Sequence, residues 1–411
     1  RLPRLMARKR KGTNMTLAPS AHTRVHPMAV LAIVLTSYLM IILDTSVVIT
    51  GLPQIRDGLG FSTVELTWVQ NAYMLFFGGF LLLAARAGDV FGRKRMFRLG
   101  LLLFTASSLV IGLALNSAML IGARAIQGIG AAILAPSVLA LISTHFPEGP
   151  ERTKALAYYS MVAGVGSSLG LVLGGIFASQ ISWRAGFFMN IPIGIVLVLA
   201  AGRHLRETEP TPGAFDVTGA VTSTLGMGAL VYGIVRSADS GWGDAGTLWI
   251  IGAAVVLLAL FAANEARVRQ PMLPLRLFAS SERVGAYAAR MLFLGAMVSF
   301  FFFSTQFMQG VLGYSALQAG FGFLPMTIPT FLAALFVPTL TARLGNGGVA
   351  ALALALAAIG MVWLGQAGAG ASYLSGVALP MSLIGSGNGF ALGPLTVAGG
   401  ARAAATEARA A

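Results

Sequence analysis

The chain has 411 residues, of which 56% are hydrophobic and only 10% charged, with a net charge of +14 and a mean hydropathy of +0.80. A soluble domain carries about 25% charged residues, so this composition excludes a water-soluble globule and indicates a polytopic membrane protein. The sequence has no cysteine, which excludes disulfides, Cys-ligated zinc and thiol catalysis, and its four histidines form no cluster of metal ligands.

Apolar runs long enough to cross a bilayer, about 17–25 residues each, recur along the chain. They predict an all-α protein with twelve membrane-spanning helices, at 28–50, 67–85, 97–115, 119–144, 155–179, 186–201, 217–235, 247–264, 284–307, 319–340, 348–364 and 373–398. Basic residues are concentrated before the first run and in every second connection. By the positive-inside rule both termini are predicted to be cytoplasmic. This topology accounts for the positive net charge without a nucleic-acid partner.

Two long polar connections, 202–216 and 265–283, bracket one pair of runs. They predict a helix pair inserted between two bundles. The predicted organisation is a basic cytoplasmic segment at 1–27, a first six-helix bundle at 28–201, a linker with the inserted helix pair at 202–283, a second bundle of four helices at 284–398, and a cytoplasmic tail at 399–411.

An acidic residue lies inside the first run, in "SYLMIILDTSVVITGLP" at 37–53. Asp44 is the one acid well inside any predicted span, and ~24 Å of helix from Met28 carries it past the middle of a core about 30 Å thick. A charge at that depth costs about 2.5–3.5 kcal/mol, so burial favours the protonated carboxyl. Asp44 is therefore either a group that binds and releases a proton or a structural carboxylate bonded to a neighbouring helix.

The connection between the second and third runs is "RAGDVFGRKR" at 86–95. Gly88 and Gly92 permit a tight turn, and Asp89 is predicted to cap the helix that follows. The cations of this segment, Arg93 among them, suit the lipid surface. By itself the pattern also fits an ordinary basic loop.

The fourth run opens with "RAIQGIGAAILAPS" at 124–137, where Arg124 and Gln127 lie one turn apart on one helical face. Arg124 belongs to the outer end of its run. Its side chain therefore either extends to the membrane surface or acts inside the bundle.

The fifth run contains "GVGSSLGLVLGG" at 164–175, where Gly166, Gly170 and Gly174 recur every four residues. Such a smooth face lets another helix pack closely. The packing could be static or could lie between two halves that move.

Taken in order, these motifs resemble those of the major facilitator superfamily, and within it the fourteen-helix drug:proton antiporter branch. The resemblance covers about residues 28–400. It is carried by "LDTSVVITGLP" (43–53), "WVQNAYML" (68–75), "GDVFGRKR" (88–95), "RAIQGIGAA" (124–132), "GSSLGLVLGG" (166–175), "SWRAGFFMNIPIG" (182–194) and "FMQGVLGYSALQAGFGFLP" (307–325). The sequence departs from the family pattern at Ala85, Leu171 and Ile49, where Gly, Pro and Asn are usual.

A short internal sequence similarity supports an architecture of two halves, which in transporters move against each other around a central site. "ARLGN" at 342–346 is similar to "DVFGR" at 89–93, and Gly345 corresponds to Gly92. The resemblance further implies two more helices after the span ending near 398, so the chain is expected to be truncated at its C-terminus. On that expectation the last span exposes a face meant for protein, which includes Gly385, Gly387 and Gly389.

The resemblance implies a proton-driven exporter of small hydrophobic or amphiphilic compounds, such as drugs or antibiotics, that works by alternating access. It assigns proton coupling to Asp44 and Arg124. The inner-loop gating motif comprises Gly88, Asp89, Gly92 and Arg93, and the antiporter motif Gly166, Gly170, Gly174 and Gly175. Polar residues expected in a cavity that suits an amphiphilic substrate are Gln70, Asn71, Tyr73, Gln127, Asn190, Gln306 and Gln309.

The expected partners are a small-molecule substrate, protons and the lipid of the cytoplasmic membrane, with the proton gradient in place of a cofactor. The protein is expected to be a monomer without a metal site. Two alternatives remain, a proton-coupled importer or metabolite exporter, and a truncated relic that does not transport. An enzyme is not expected, because no Ser/His/Asp or metal-ligating constellation occurs.

Overall fold

A computed structural model describes residues 27–146, 150–207, 216–268, 271, 273, 275–279 and 281–400. The predicted N-terminal segment up to 26, the linker residues 208–215 and the tail from 401 lie outside the described residues. Within the described part the chain is helical and contains no strand. The all-α polytopic architecture predicted from the apolar runs is confirmed.

Fourteen α-helices follow one another in the described part of the chain. In order, α1 to α14 are Pro27–Leu59, Thr63–Leu66, Trp68–Phe91, Arg93–Gly112, Ser117–His145, Pro150–Ile176, Trp183–Phe188, Asn190–His204, Val217–Ser240, Ala245–Glu265, Ser281–Gln306, Ala316–Gly322, Leu324–Gly365 and Leu379–Gly400. Three π-helical turns, Phe177–Ile181, Phe307–Val311 and Leu374–Ala378, adjoin α6, α11 and α14, and a 3₁₀ turn, Leu275–Ala279, precedes α11.

The twelve predicted spans each coincide with helix, although the boundaries differ. Nine segments of the described chain are long and apolar enough to cross a membrane, and one of them, Ala316–Gly365, runs for 50 residues. Gly345 divides that segment into two spans, because its backbone is not helical (φ 69°, ψ 168°). With α6 and α14 the described helices account for all twelve. The first helix continues past its predicted end at 50 and reaches Leu59.

The direction of α1 defines two sides of the molecule, proximal and distal. The proximal side is where α1 begins at Pro27, and the distal side is where it ends at Leu59. The described spans alternate in direction, so the connection that contains Gly92 and the break at Gly345 both lie on the proximal side. Both glycines have a positive φ, +100° and +69°. The sequence similarity between "DVFGR" and "ARLGN" therefore corresponds to two matching breaks between helices.

Helices α9 and α10 form a hairpin that packs against α3, with the rings of Trp68 and Tyr232 6.0 Å apart. Acidic caps begin both helices. Burial works against the charge of Asp216, yet hydrogen bonds from the Gly219 N–H (2.8 Å) and the Asn264 amide hold its pKa below the usual value. The Thr247 N–H at 2.9 Å likewise lowers the pKa of Asp244. These caps satisfy backbone donors that would otherwise have no partner at the helix ends.

The last span does not expose its glycines, which corrects the sequence-based expectation. Gly385, Gly387 and Gly389 are buried against the backbone of α13. A Cβ added at Gly387 would lie 2.6 Å from the Ala353 carbonyl oxygen. Because α13 is bent back on itself at Gly345, both of its halves can reach α14, and the three glycines permit that contact.

We expect Gly345→Ala to lower the melting temperature of the purified protein in detergent. The backbone at Gly345 lies in a region that glycine alone adopts readily, so a Cβ adds strain of about 1–3 kcal/mol. Gly347→Ala is the matched control, because Gly347 is helical and no atom lies within 4 Å of an added Cβ. Equal melting temperatures for the two variants would contradict this account of the break.

Candidate functional site

A buried ion pair joins α1 to α5. The Arg124 Nη1 donates to Asp44 Oδ2 at 2.7 Å, and the two side chains are 1% and 0% exposed. The other carboxylate oxygen, Asp44 Oδ1, accepts from Gln127 Nε2 at 2.9 Å and from Asn190 Nδ2 at 2.8 Å. Helices α1, α5 and α8 thus converge on one carboxylate, which is fully surrounded by donors.

Arg124 is held on every side and does not extend to the membrane surface. Its Nε donates to the Val69 carbonyl oxygen of α3 at 2.9 Å, and its Nη1 also donates to Gln127 Oε1 at 2.6 Å. The ring of Tyr73 lies beneath the guanidinium, 4.3 Å from Cζ to the ring centroid, where a cation–π contact adds to the attraction. The sequence left two positions open for the Arg124 side chain, at the membrane surface or inside the bundle, and the structure places it inside the bundle.

Ser108 of α4 completes this polar cluster, and the sequence analysis did not identify it. Its Oγ accepts from Gln127 Nε2 at 2.8 Å and donates to the Phe104 carbonyl oxygen at 2.8 Å. Removing one partner of such a pair leaves an uncompensated buried charge, at a cost of about 3–5 kcal/mol. The cluster is therefore stable only when its charges are balanced, and a proton on Asp44 would change that balance.

A cavity of about 270 Å³ lies between the two bundles, and on α1 and α3 it is lined by residues that directly follow Asp44 and the Arg124 acceptor Val69. Thr45 follows Asp44 on α1, and Gln70 follows Val69 on α3. Aliphatic, methionine, aromatic and a few uncharged polar side chains line the cavity: Thr45, Ser46, Ile49, Gln70, Met74, Ser167, Leu171, Leu294, Met297, Val298, Phe301 and Asn388. No charged side chain occurs in this described lining.

Of the seven predicted cavity residues, Gln70 alone lines this cavity. Tyr73, Gln127 and Asn190 belong to the polar cluster around Asp44 instead. Asn71 follows Gln70 by one residue and so projects about 100° away from it around α3. At these four positions the predicted side chains do not line this cavity, because sequence alone does not fix which helical face meets it.

The two remaining residues predicted to line the cavity, Gln306 and Gln309, lie toward the distal side. Gln306 ends α11 and does not line the cavity. Gln309 joins the bundles, since its Nε2 donates to the Thr50 carbonyl oxygen at 2.8 Å and its Oε1 accepts from Gln54 Nε2 at 3.1 Å. Asn388, which does line the cavity, was missed, although an amide inside the apolar last run was a usable signal.

Close backbone contacts between the bundles accompany the Gln54–Gln309 hydrogen bond on the distal side. A Cβ added at Gly175 would lie 2.5 Å from the Ala316 carbonyl oxygen, and one at Gly320 would lie 2.7 Å from that of Leu171. Among the described residues, these contacts close the distal end of the space between the bundles.

The glycine face of α6 packs within the first bundle. A Cβ added at Gly166 would lie 2.8 Å from Leu39 Cδ1, and one at Gly170 would lie 2.5 Å from Ser46 Cβ; Gly174 meets α1 at Val47 in the same way. Gly166, Gly170 and Gly174 therefore hold α6 against α1, and Gly175 alone of the motif faces the second bundle.

On the proximal side, the connection between α3 and α4 is fixed to the end of α8. Arg93 pairs with Asp89 one turn earlier and covers Gly88. Asp89 therefore does not cap α4, which corrects the prediction. Instead Glu207, beyond the end of α8, accepts from the Lys94 N–H at 3.0 Å, and its carboxylate lies where a Cβ at Gly92 would be.

No three His, Cys, Asp or Glu side chains of the described chain are grouped so that they could hold a metal ion. The site therefore combines a buried ion pair with a largely apolar cavity beside it.

The chain matches the family model described as Major Facilitator Superfamily over residues 34–411. It is 39% identical over 371 residues to the cephamycin export protein CmcT of Amycolatopsis lactamdurans, covering 89% of this chain and 76% of that protein. It is 38% identical to the puromycin resistance protein pur8 of Streptomyces alboniger (72% and 59% covered) and 31% identical to the tetracenomycin C resistance and export protein of Streptomyces glaucescens (83% and 63% covered).

Solved transporter structures share the fold. The POT family transporter PepTSo has a TM-score of 0.65 at 13% identity, over 92% of this chain and 84% of that one. A bacterial homologue of the human lysosomal transporter Spinster, in an inward-facing and unoccupied conformation, has a TM-score of 0.58 at 16% identity, over 90% and 74%. At these identities the likeness concerns the fold alone.

We expect Gly170→Leu to destabilise the protein by about 1–3 kcal/mol, because a large side chain would push α6 away from α1 where the helices touch. Gly252→Leu is the control, since Gly252 is exposed on α10 and an added Cβ has no neighbour within 4 Å. Melting temperatures in detergent would report the difference. A Gly170→Leu protein as stable as the control would mean that the glycine face is dispensable for packing.

We expect Gln309→Leu to loosen the distal contact between the bundles, because it removes the hydrogen bonds to Thr50 and Gln54. Each is worth about 0.5–1.5 kcal/mol net. A pair of spin labels at the exposed positions Asp57 and Val311, on the distal side of opposite bundles, should show a larger population at long distance in the variant. An unchanged distance distribution would rule out this contact as a closure.

Proposed function

The chain belongs to the Major Facilitator Superfamily, and from that premise we propose that it exports small hydrophobic or amphiphilic compounds, drugs or antibiotics among them, in exchange for protons. Members of this family are multi-pass transporters of small molecules. Three similar proteins are named for export of, or resistance to, antibiotics, which supports the export direction. The observation that carries the proton exchange is the sealed Asp44–Arg124 pair beside the cavity between the bundles.

In this proposal the protein lies in the cell membrane with its proximal side in the cytoplasm. The basic residues Arg93, Lys94 and Arg95 lie on the proximal side, as the positive-inside rule requires of a cytoplasmic surface. The distal contact of Gln54 and Gln309 then closes the external side, and the conformation in which this contact is formed faces the cytoplasm. A compound from the cytoplasm or the inner leaflet can enter the cavity in that state.

The proton cycle follows from the balance of charges around Asp44. With the carboxylate ionised, Arg124, Gln127 and Asn190 hold it, and α1, α5 and α8 are tied together. In the outward-facing state a proton neutralises Asp44 and weakens the hold of Arg124 on it. Return to the inward-facing state brings Arg124 back onto Asp44, and the proton leaves to the cytoplasm as the ion pair re-forms. The proton gradient therefore drives the return step and takes the place of a cofactor.

We expect Asp44→Asn to abolish export driven by a pH gradient, because the amide cannot exchange a proton. Purified protein in liposomes, with dye efflux followed after an imposed pH jump, measures this directly. Binding of the dye and exchange of labelled for unlabelled dye without a gradient should remain, since the cavity itself is unchanged.

Asp57→Asn is the matched control, because Asp57 lies on the same helix but is exposed at its distal end. It should export at the rate of the unaltered protein. Undiminished gradient-driven efflux by Asp44→Asn would refute the coupling role. Since the substitution leaves Arg124 without its counter-charge, the fold of the variant is checked by its melting temperature, and Asp44→Glu should restore part of the activity.

A further inference from the structure

The described lining of the cavity between the bundles offers no anionic group to a bound molecule. Asp44 is the one acid in the middle of a described span, since the others lie at the ends of their helices, and its side chain is 0% exposed, with both oxygens occupied by Arg124, Gln127 and Asn190. A cation that left water for this cavity would lose its hydration without gaining a counter-charge. That loss is large for any ion in a medium of low dielectric constant.

A hydrogen-bond donor without a partner reaches the wall of this cavity. Gln70 is 6% exposed and lines the cavity, and its Nε2 makes no hydrogen bond within the described chain. Leaving a buried amide N–H group without an acceptor is costly, because the group has lost its hydrogen bonds to water and gained none in return. The second bundle contributes another amide to the wall, Asn388. A carbonyl oxygen on a bound compound would satisfy Gln70.

We propose that the cavity takes compounds that carry carbonyl acceptors and no positive charge, with Gln70 as the donor that selects them, and that it discriminates against lipophilic cations. This inference rests on the proposed function, because it concerns the substrates of the same cavity. It assigns Gln70 a specificity role that is separate from the proton exchange at Asp44.

The test compares two dyes of nearly equal shape, one uncharged and one cationic. The methyl ether of fluorescein methyl ester and rhodamine 123 share a xanthene ring and a methyl ester, but at pH 8 the first is uncharged and the second is a cation. Binding of each to the purified, detergent-solubilised chain is measured by fluorescence anisotropy at constant ionic strength. The fluorescein ester should bind at least about tenfold more tightly, since 1.4 kcal/mol of charge discrimination corresponds to a factor of ten.

Two variants of Gln70 assign the preference to that residue. Gln70→Leu should weaken binding of the fluorescein ester by about fivefold, the loss expected for one hydrogen bond. Gln70→Glu supplies the missing anion and should reverse the preference in favour of rhodamine 123. Gln180→Leu is the matched control, because Gln180 is an exposed amide on the distal side, and it should change neither affinity.

Equal or tighter binding of rhodamine 123 by the unaltered chain would overturn the proposal, as would binding of neither dye by folded protein. An unchanged preference in both Gln70 variants would overturn the role of Gln70. The export proposal is judged separately by the liposome assay. Gradient-driven efflux of rhodamine 123 would leave export standing and refute the charge selectivity, whereas a confirmed binding preference without any gradient-driven efflux would refute export alone.

Discussion

The arrangement of the first bundle depends on one ion pair in a region that excludes water. Neither Asp44 nor Arg124 is stable there alone, because each would be a charge of full strength in a medium of low dielectric constant. The pair persists because neighbouring helices also satisfy the remaining lone pairs and donors. Val69 of α3, Ser108 of α4 and Asn190 of α8 each provide one of those partners. Five helices are thereby held at fixed distances around a single carboxylate.

Those distances are reached only because the helices touch through glycine. Gly128 lies against the backbone of α3 at Tyr73, and a Cβ at Gly130 would lie 2.8 Å from the Phe104 backbone nitrogen of α4. Both glycines belong to the helix that carries Arg124 and Gln127. The segment "RAIQGIGAA" is therefore one physical unit, in which small residues bring the backbones together and the polar residues use the proximity. A larger residue at either glycine would move Arg124 away from its partners.

Features that depend on local sequence could be predicted, and those that depend on helix rotation could not. The twelve apolar runs, the acid in α1 and the breaks at Gly92 and Gly345 follow from hydropathy, charge and backbone freedom. Which of Gln70 and Asn71 meets the cavity depends on how α3 turns against α5 and α9, and this is a property of the packed bundle. The capping of α4 depends on packing as well. Glu207 takes the position expected of Asp89, because this residue, distant in the sequence, comes close to the start of α4 only when α8 packs beside α4.

The short path between cavity and ion pair explains how two separate sites can influence one another without sharing a side chain. The Val69 carbonyl that accepts from Arg124 belongs to the peptide bond that also contains the backbone nitrogen of Gln70. Because a peptide unit is rigid and planar, a displacement of α3 that accompanies binding at Gln70 also moves an acceptor of Arg124. Asp44 and Thr45 share a peptide bond on the opposite wall in the same way. On the proposed function, the carboxylate stays sealed from the cavity while this shared backbone lets its hold on Arg124 respond to what the cavity contains.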